Sequence, residues 1–302
     1  MVQKSRENTI FNIIVYTVMV IFLFIMIYPL WYCLINAFSS AKEVYYGNVV
    51  WLPKGITLEN YVAVFREKSL LSGYLNTVFY TFAGTVIGLF VTFTAAYPLS
   101  RKDMYGRDVF MKLYLLPMFI SGGLVPTYII VKKLGLYDTF WALVLPGAVG
   151  VWNVVVVRTF MISSIPGELQ EAAMLDGAGN IKIFTSIIIP LSRPILAVMT
   201  MFHIVGYWNT YFNALIYIQD RAKYPLQVFL REILVQGKFA EQLLQSGISL
   251  SQEDIAELYK QSKTADMIKY GVIVISTLPM MIIYPWMQKF FAKGVMIGSV
   301  KG

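Results

Sequence analysis

Apolar residues run through this chain in six blocks, and the polar residues are gathered in the gaps between them. A helix that crosses a bilayer needs about 20 mostly apolar residues. The blocks that meet this length fall at about 9–38, 73–99, 108–131, 139–162, 194–218 and 267–291. The first follows a short polar head with Lys4 and Arg6. It is too long for a signal-peptide core and lacks a small-residue cleavage site, so it reads as a retained span. The pattern predicts an all-α polytopic membrane protein of six spans, one transmembrane domain over 1–302 with no appended soluble domain.

Six spans put both termini on one side. Lys and Arg are denser in the short loops that share the N-terminal side, among them Arg101, Lys102, Arg107, Lys182 and Arg193. Basic residues mark the cytoplasmic face, and long outer loops weigh little in that rule. Both termini are therefore expected in the cytoplasm, and so is the gap at 163–193.

That gap is the best punctuated stretch of the chain. Pro166 suits the start of a helix. GELQEAAMLD is good helix former, and Gly177 and Gly179 break it. Glycine ends helices at low cost. Asn180 is placed to cap a second helix, with Pro190 and Pro194 at its far end. Helix, glycine turn and helix in one loop make a docking device. Two outer loops are also substantial. In 39–72, Thr57 is a candidate cap for a short helix with Tyr61, Val64 and Phe65 on one face. In 220–266, Ser249 or Ser251 is a candidate cap for QEDIAELYKQSK. Each is either ordinary cover or a surface for something outside.

Composition removes several classes of function. The chain is 57% hydrophobic and 14% charged. Soluble domains are about a quarter charged. A net charge of +8 comes without a basic patch, so no nucleic acid is expected. The one cysteine, Cys33, lies in an apolar run and can form neither an internal disulfide nor a metal cluster. No GxxxxGK[ST] loop is present, so the chain is not expected to hydrolyse nucleotide. Its one histidine, His203, has no nearby carboxylate in sequence. Neither enzyme chemistry nor a bound metal or cofactor is therefore expected. The middle of every span lacks a carboxylate, and buried acids are what usually mark a proton route. If the protein transports, its energy comes from elsewhere.

The polar content of the spans is concentrated. On one continuous helix, His203, Gly206, Asn209 or Thr210, and Asn213 share a face, flanked by Trp208 and Tyr211. In the fourth block, Trp152 and Asn153 follow Pro146, Gly147 and Gly150, where a helix can loosen. Such groups can line a route for a hydroxyl-rich solute, Asn by hydrogen bonding and aromatic faces by stacking. They can equally glue helices together, with Gly206 as a close-packing point.

The stretch 171–190 resembles the EAA motif of binding-protein-dependent ABC importer permeases: EAA, three residues, Gly, nine residues, I-x-L-P. Glu171, Ala172 and Ala173 are followed by Gly177, and after nine more residues by Ile187, Ile188, Ile189 and Pro190. The one departure is Ile189 in the place of Leu. GLVPTYIIVKKLGLYDTFWALVLP, YWNTYFNALIYI and the terminal KGVMIGSVKG extend the likeness over nearly the whole length. They are most similar to the carbohydrate permeases related to the maltose permease G subunit, in the polysaccharide-lipoprotein branch of Gram-positive bacteria.

The resemblance implies the type I ABC importer permease fold and a heteromeric complex in the cell membrane. The partners would be a second, different permease, two ATPase subunits that bind the ATP and Mg, and an extracellular solute-binding lipoprotein that delivers a carbohydrate. It implies that 166–176 is the coupling helix, with Glu171 facing a basic residue, Ala172 and Ala173 allowing close approach, and Asp176 and Gly177 closing the helix and making the turn. It extends to an ATPase contact for 293–302 as well. The alternative is a secondary carrier working alone.

Overall fold

The computed structural model describes residues 6–245, 258, 265 and 268–288, and these are helical with no strand among them. They fall into two compact units, one drawn from Met1–Lys68 and Leu230–Thr277, the other from Ser69–Phe229 and Leu278–Gly302.

In the first unit, α1 (Arg6–Ala37) is one apolar helix of 32 residues. The chain then folds back onto its end through α2 (Ala41–Tyr45) and α3 (Glu59–Arg66). A helix end leaves carbonyls without partners, and here Asn60 supplies them. Its buried amide donates to the carbonyls of Ala37 and Ser39, at 3.1 and 3.0 Å. The Trp31 indole N–H adds a bond to the Trp51 carbonyl at 3.0 Å. Thr57 is not the helix cap expected of it: Leu58 takes the cap position, and Thr57 Oγ1, one residue further out, accepts the Glu59 amide at 3.2 Å. Val64 is buried as expected, but Phe65 is exposed and Asn60 takes the inner face in its place. The polar loop at 220–266 begins with a helix the sequence reading did not foresee, α14 (Leu226–Gln245). The expected cap at Ser249 or Ser251 and the tail 293–302 lie outside the described residues.

The second unit is built on α4 (Lys68–Ser100), a helix of 33 residues. At the usual helical rise it runs for about 50 Å. Between Gly73 and Thr92 its buried residues are small, Gly73, Thr77, Thr81, Gly84, Thr85, Gly88 and Thr92, with Tyr80 the one large side chain among them. The third, fourth and fifth expected spans are all interrupted. The third is α5 (Arg107–Phe119) and α6 (Leu124–Lys133), which meet at a bend of 115°. The fourth is α7 (Phe140–Val144) and α8 (Val151–Ser164), parted where Pro146, Gly147 and Gly150 stand. The fifth is α12 (Arg193–Trp208) and α13 (Phe212–Tyr217), so one helical face does not run from His203 to Asn213. Among the described residues, three helices, Asn8–Ala37, Lys68–Ser100 and α15 (Ile268–Gln288), have the length and apolarity of an unbroken crossing, or up to five if α5 with α6 and the run Asn180–Leu191 with α12 each count as one.

Between α8 and α12 lie α9 (Gly167–Leu175), α10 (Asn180–Ile183), a π-helical segment at Phe184–Ile188 and the turn α11 (Ile189–Leu191). The run Asn180–Leu191 meets α12 at 82°. Proline explains the bend, because Pro190 and Pro194 lack the N–H that a continuing helix needs and crowd the preceding turn.

Candidate functional site

The glycine turn of the sequence is a complete helix stop. Gly177 has φ +77°, the left-handed conformation that a side chain disfavours. The Gly177 amide donates to the Met174 carbonyl at 3.0 Å, and the Ala178 amide to the Ala173 carbonyl at 2.9 Å. These two crossed bonds are the Schellman arrangement, which satisfies the carbonyls left over at a helix end. Asp176 is the C-cap residue and lies exposed.

The turn also sorts the motif residues. Ala173 and Ala178 pack against the core formed by Phe93, Tyr97, Val154, Val157, Ile183 and Ile188. Ala173 therefore seats α9 on this chain's own core. Glu168, Glu171, Ala172 and Leu175 recur at helical spacing and are exposed, Leu175 to 90%. Glu171 has no hydrogen bond or ion pair among the described residues. The outward stripe thus carries two carboxylates and one large apolar side chain.

One residue that the sequence reading passed over holds this device in place. Arg101, in the loop after α4, keeps only 9% of its side chain exposed. Its Nη1 donates to Asn180 Oδ1 at 2.8 Å and to the Tyr97 hydroxyl at 2.9 Å. Its Nη2 reaches Met174 Sδ at 3.4 Å, and its Nε donates to Asp103 Oδ1 at 2.7 Å. Asp103 raises the pKa of the guanidinium, which in turn holds the Asp103 carboxyl below its ordinary value. Asn180 is not the helix cap expected of it: Gly179 takes the cap position, and the Asn180 side chain serves Arg101. Arg158 Nε adds a bond to the Leu99 carbonyl at 2.8 Å. A basic side chain on the last carbonyls is a favourable close for a helix such as α4.

Comparison with known proteins matches this architecture to a transport family. The profile of the family described as "Binding-protein-dependent transport system inner membrane component" fits residues 84–297, which include the glycine turn. The chain belongs to that family. Among its relatives, the polygalacturonan/rhamnogalacturonan transport system permease protein YtcP of Bacillus subtilis is 37% identical over 98% of this chain and 100% of its own. The protein LplC of the same organism is 40% identical over 92% of this chain and 90% of its own. Among solved structures, a bacterial ABC transporter involved in the import of the acidic polysaccharide alginate superimposes with a TM-score of 0.84 at 30% identity, covering 96% of this chain and 100% of that one.

The permease separates the seven residues expected along a solute route into two groups. His203 is 5% exposed and stacks on Tyr207, with ring centroids 6.2 Å apart. Both rings lie over the glycines of α4. A Cβ at Gly88 would come within 2.6 Å of His203, and one at Gly84 within 2.6 Å of Tyr207. Trp208 is 4% exposed and meets Tyr74 edge to face at 5.8 Å. His203 and Trp208 are both buried among this chain's own helices. Gly206, by contrast, is exposed with nothing near its missing Cβ, so it is not the close-packing point. The GxxxG spacing of Gly84 and Gly88 was the signal for that contact.

The other five stand at the helix breaks. Trp152 and Asn153 open α8, with Asn153 folded back beside Gly150. Asn209 and Tyr211 lie between α12 and α13, and Asn213 lies in the first turn of α13. Trp152 is 60% and Tyr211 42% exposed.

At the other end of α4 a second polar knot ties the loops. Asp138, with φ 56°, accepts the amides of Gln219 and Asp220 on Oδ1, each at 3.0 Å. Lys223 Nζ donates to Asp138 Oδ2 at 2.9 Å. The backbone amide of Asp220, then Lys223 and the amide of Gln219, push the Asp138 carboxyl down to about 2. Donors aimed at a carboxylate favour its charged form. Tyr80 donates its hydroxyl to the Lys223 carbonyl at 2.8 Å, and Asn76 its amide to the Ala222 carbonyl at 2.7 Å.

Proposed function

We propose that this permease carries a carbohydrate into the cell as one half of a heteromeric ABC importer, with α9 as the helix that engages a cytoplasmic ATPase subunit. The outward stripe of α9 carries the reading. Glu171 offers an unpaired carboxylate to a basic residue, Leu175 offers an apolar anchor, and Ala172 lets the partner's backbone approach. Ala173 and the Gly177 turn hold the helix to the bundle, so that movement of α9 is passed on to α4 and α8. Naming of relatives for polygalacturonan, rhamnogalacturonan and alginate supports a polysaccharide fragment as the solute.

On this reading the chain has six spans, counting the interrupted ones, with both termini and the α9 loop in the cytoplasm. ATP and Mg belong to two partner ATPase subunits, and an extracellular lipoprotein hands the sugar to this chain and a second, different permease. ATP binding closes the ATPases, α9 moves with them as a lever, and the bundle opens outward.

Two substitutions test this. Gly177→Pro removes the amide that bonds Met174 and forbids the positive φ; Glu171→Lys reverses the charge of the stripe. Each is expected to insert into the membrane and to lose ATP-driven uptake. Normal uptake and normal ATPase stimulation in both would contradict the assignment.

A further inference from the structure

The loop that follows α1 turns back along it. Its base is closed at the end of the helix: the Ser40 amide donates to the Lys54 carbonyl at 3.1 Å, and the Lys54 amide to Ser39 Oγ at 3.1 Å. Its tip does not project beyond the helix. The Trp51 ring lies 5.0 Å from that of Tyr28 and 6.0 Å from that of Phe24, centroid to centroid. The Tyr28 hydroxyl donates to the Val50 carbonyl at 3.4 Å, and the Trp31 indole to the Trp51 carbonyl at 3.0 Å. At the helical rise, Tyr28 and Phe24 stand about 14 and 20 Å back from the end of α1 at Ala37.

That level has a meaning in a bilayer. Arg6, Glu7 and Asn8 form the polar start of α1, and residues 9–38 carry no charge. The hydrocarbon holds about 20 helical residues, which from Thr9 end at Tyr28. Trp and Tyr gather where a span leaves the hydrocarbon, because their rings are apolar and their N–H and O–H groups need partners. Tyr28, Trp31, Tyr32 and Trp51 stand together at this point.

The loop itself is unusual for one in water. Residues 44–53, VYYGNVVWLP, carry no charge, although Lys42, Glu43 and Lys54 flank them. Val49 is buried and holds the loop from within, whereas Trp51 is 56% and Leu52 69% exposed. Beside them α1 exposes Leu23 and Phe24, and the most apolar stretch of that helix buries none of its residues in this chain. The exposed loop surface is thus continuous with the bare apolar flank of a span. Irregular backbone is kept out of hydrocarbon, where its peptide groups lack partners. The headgroup boundary satisfies both demands, taking apolar side chains and supplying water to the backbone.

We propose that the tip of this loop is a lipid anchor, with Trp51 and Leu52 inserted in the membrane interface at the C-terminal end of α1. It is independent of the transported solute and of which side of the membrane that end faces.

Spin labelling of the assembled complex, in vesicles of phosphatidylglycerol and phosphatidylethanolamine, tests it. Val50→Cys and Leu52→Cys are each made in a Cys33→Ser background and given a nitroxide. The readout is collision with oxygen, which concentrates in lipid, against collision with a nickel chelate, which stays in water. A lipid with its nitroxide just below the headgroup and a free nitroxide in buffer are the references. Both loop labels are expected to match the lipid nitroxide in their oxygen-to-nickel ratio. A ratio equal to that of the free nitroxide would place the loop in water and overturn the anchor. Labels that neither oxygen nor nickel reaches would show the loop covered by another subunit, and would overturn it as well.

Discussion

Arg101 donates to Asn180 across 79 positions of sequence, at 2.8 Å. The same guanidinium touches Met174 on the other side of the Gly177 turn. The loop after α4 therefore grips the helices on both sides of the Gly177 turn at once. Hydrogen bonds to a charged group contribute about 2 kcal/mol each. Arg101→Ala is expected to leave the complex assembled but to lower the sugar moved per ATP hydrolysed. Arg101→Lys is expected to restore only part of it, since an ammonium cannot reproduce the planar fork. The ratio of uptake to hydrolysis in proteoliposomes checks this, and an unchanged ratio in Arg101→Ala would count against the clamp.

Gly177 and Gly179 stand two positions apart and differ in what they tolerate. Gly177 has φ +77°, whereas Gly179 has φ −71°, which any residue adopts. A Cβ at either meets nothing within 4 Å. The cost of Gly177→Ala is therefore conformational, about 1 kcal/mol, and Gly179→Ala is expected to be neutral or slightly stabilising. Thermal unfolding of the purified complex separates the two.

Gly88 and His203 form a matched pair. Gly88→Ala places a Cβ 2.6 Å from the imidazole. It is expected to destabilise by about 1–3 kcal/mol, the usual cost of overpacking. Adding His203→Ala is expected to recover part of that loss, because the substituted side chains compete for one space. Additive losses in the double variant would show that the two do not share it.

The Asp138 knot sets a pH dependence. Its carboxyl is pushed down to about 2 and the Lys223 ammonium is pushed up by its hydrogen bond to Asp138. The folded carboxyl thus has a lower pKa than the unfolded one, so its stabilisation is complete above about pH 4 and fades as pH falls towards about 2. Asp138→Asn is expected to lower stability by a constant amount from about pH 5 to 9, with the gap to the unsubstituted protein narrowing below about pH 4. Thermal unfolding measured across that range checks it; a gap that widens on acidification would contradict it.

The features that were legible in sequence are those written in local chemistry. The Gly177 turn is encoded within a few residues, and Pro146, Gly147 and Gly150 announced the break in the fourth span. The break at Asn209–Tyr211 carries no Gly or Pro, so the apolar period read straight through it. His203 and Trp208 were open to both readings, solute lining and helix packing, because periodicity gives a helix face but not what that face meets. Their partners, Gly88 and Tyr74, lie on another helix. Arg101 was counted only as a basic loop residue, since its contacts are 73 and 79 positions away. Ala172 and Ala173 read alike, and only the core beneath α9 tells the outward one from the inward one.

The central claim is that this chain moves a carbohydrate only with energy delivered through α9. The most direct measurement is sugar uptake into proteoliposomes, with and without ATP, the two ATPase subunits, the second permease and the binding lipoprotein. Uptake that requires all of them, and that Glu171→Lys abolishes, is the predicted result. Uptake by this chain alone, without ATP, would make it a secondary carrier and contradict the account.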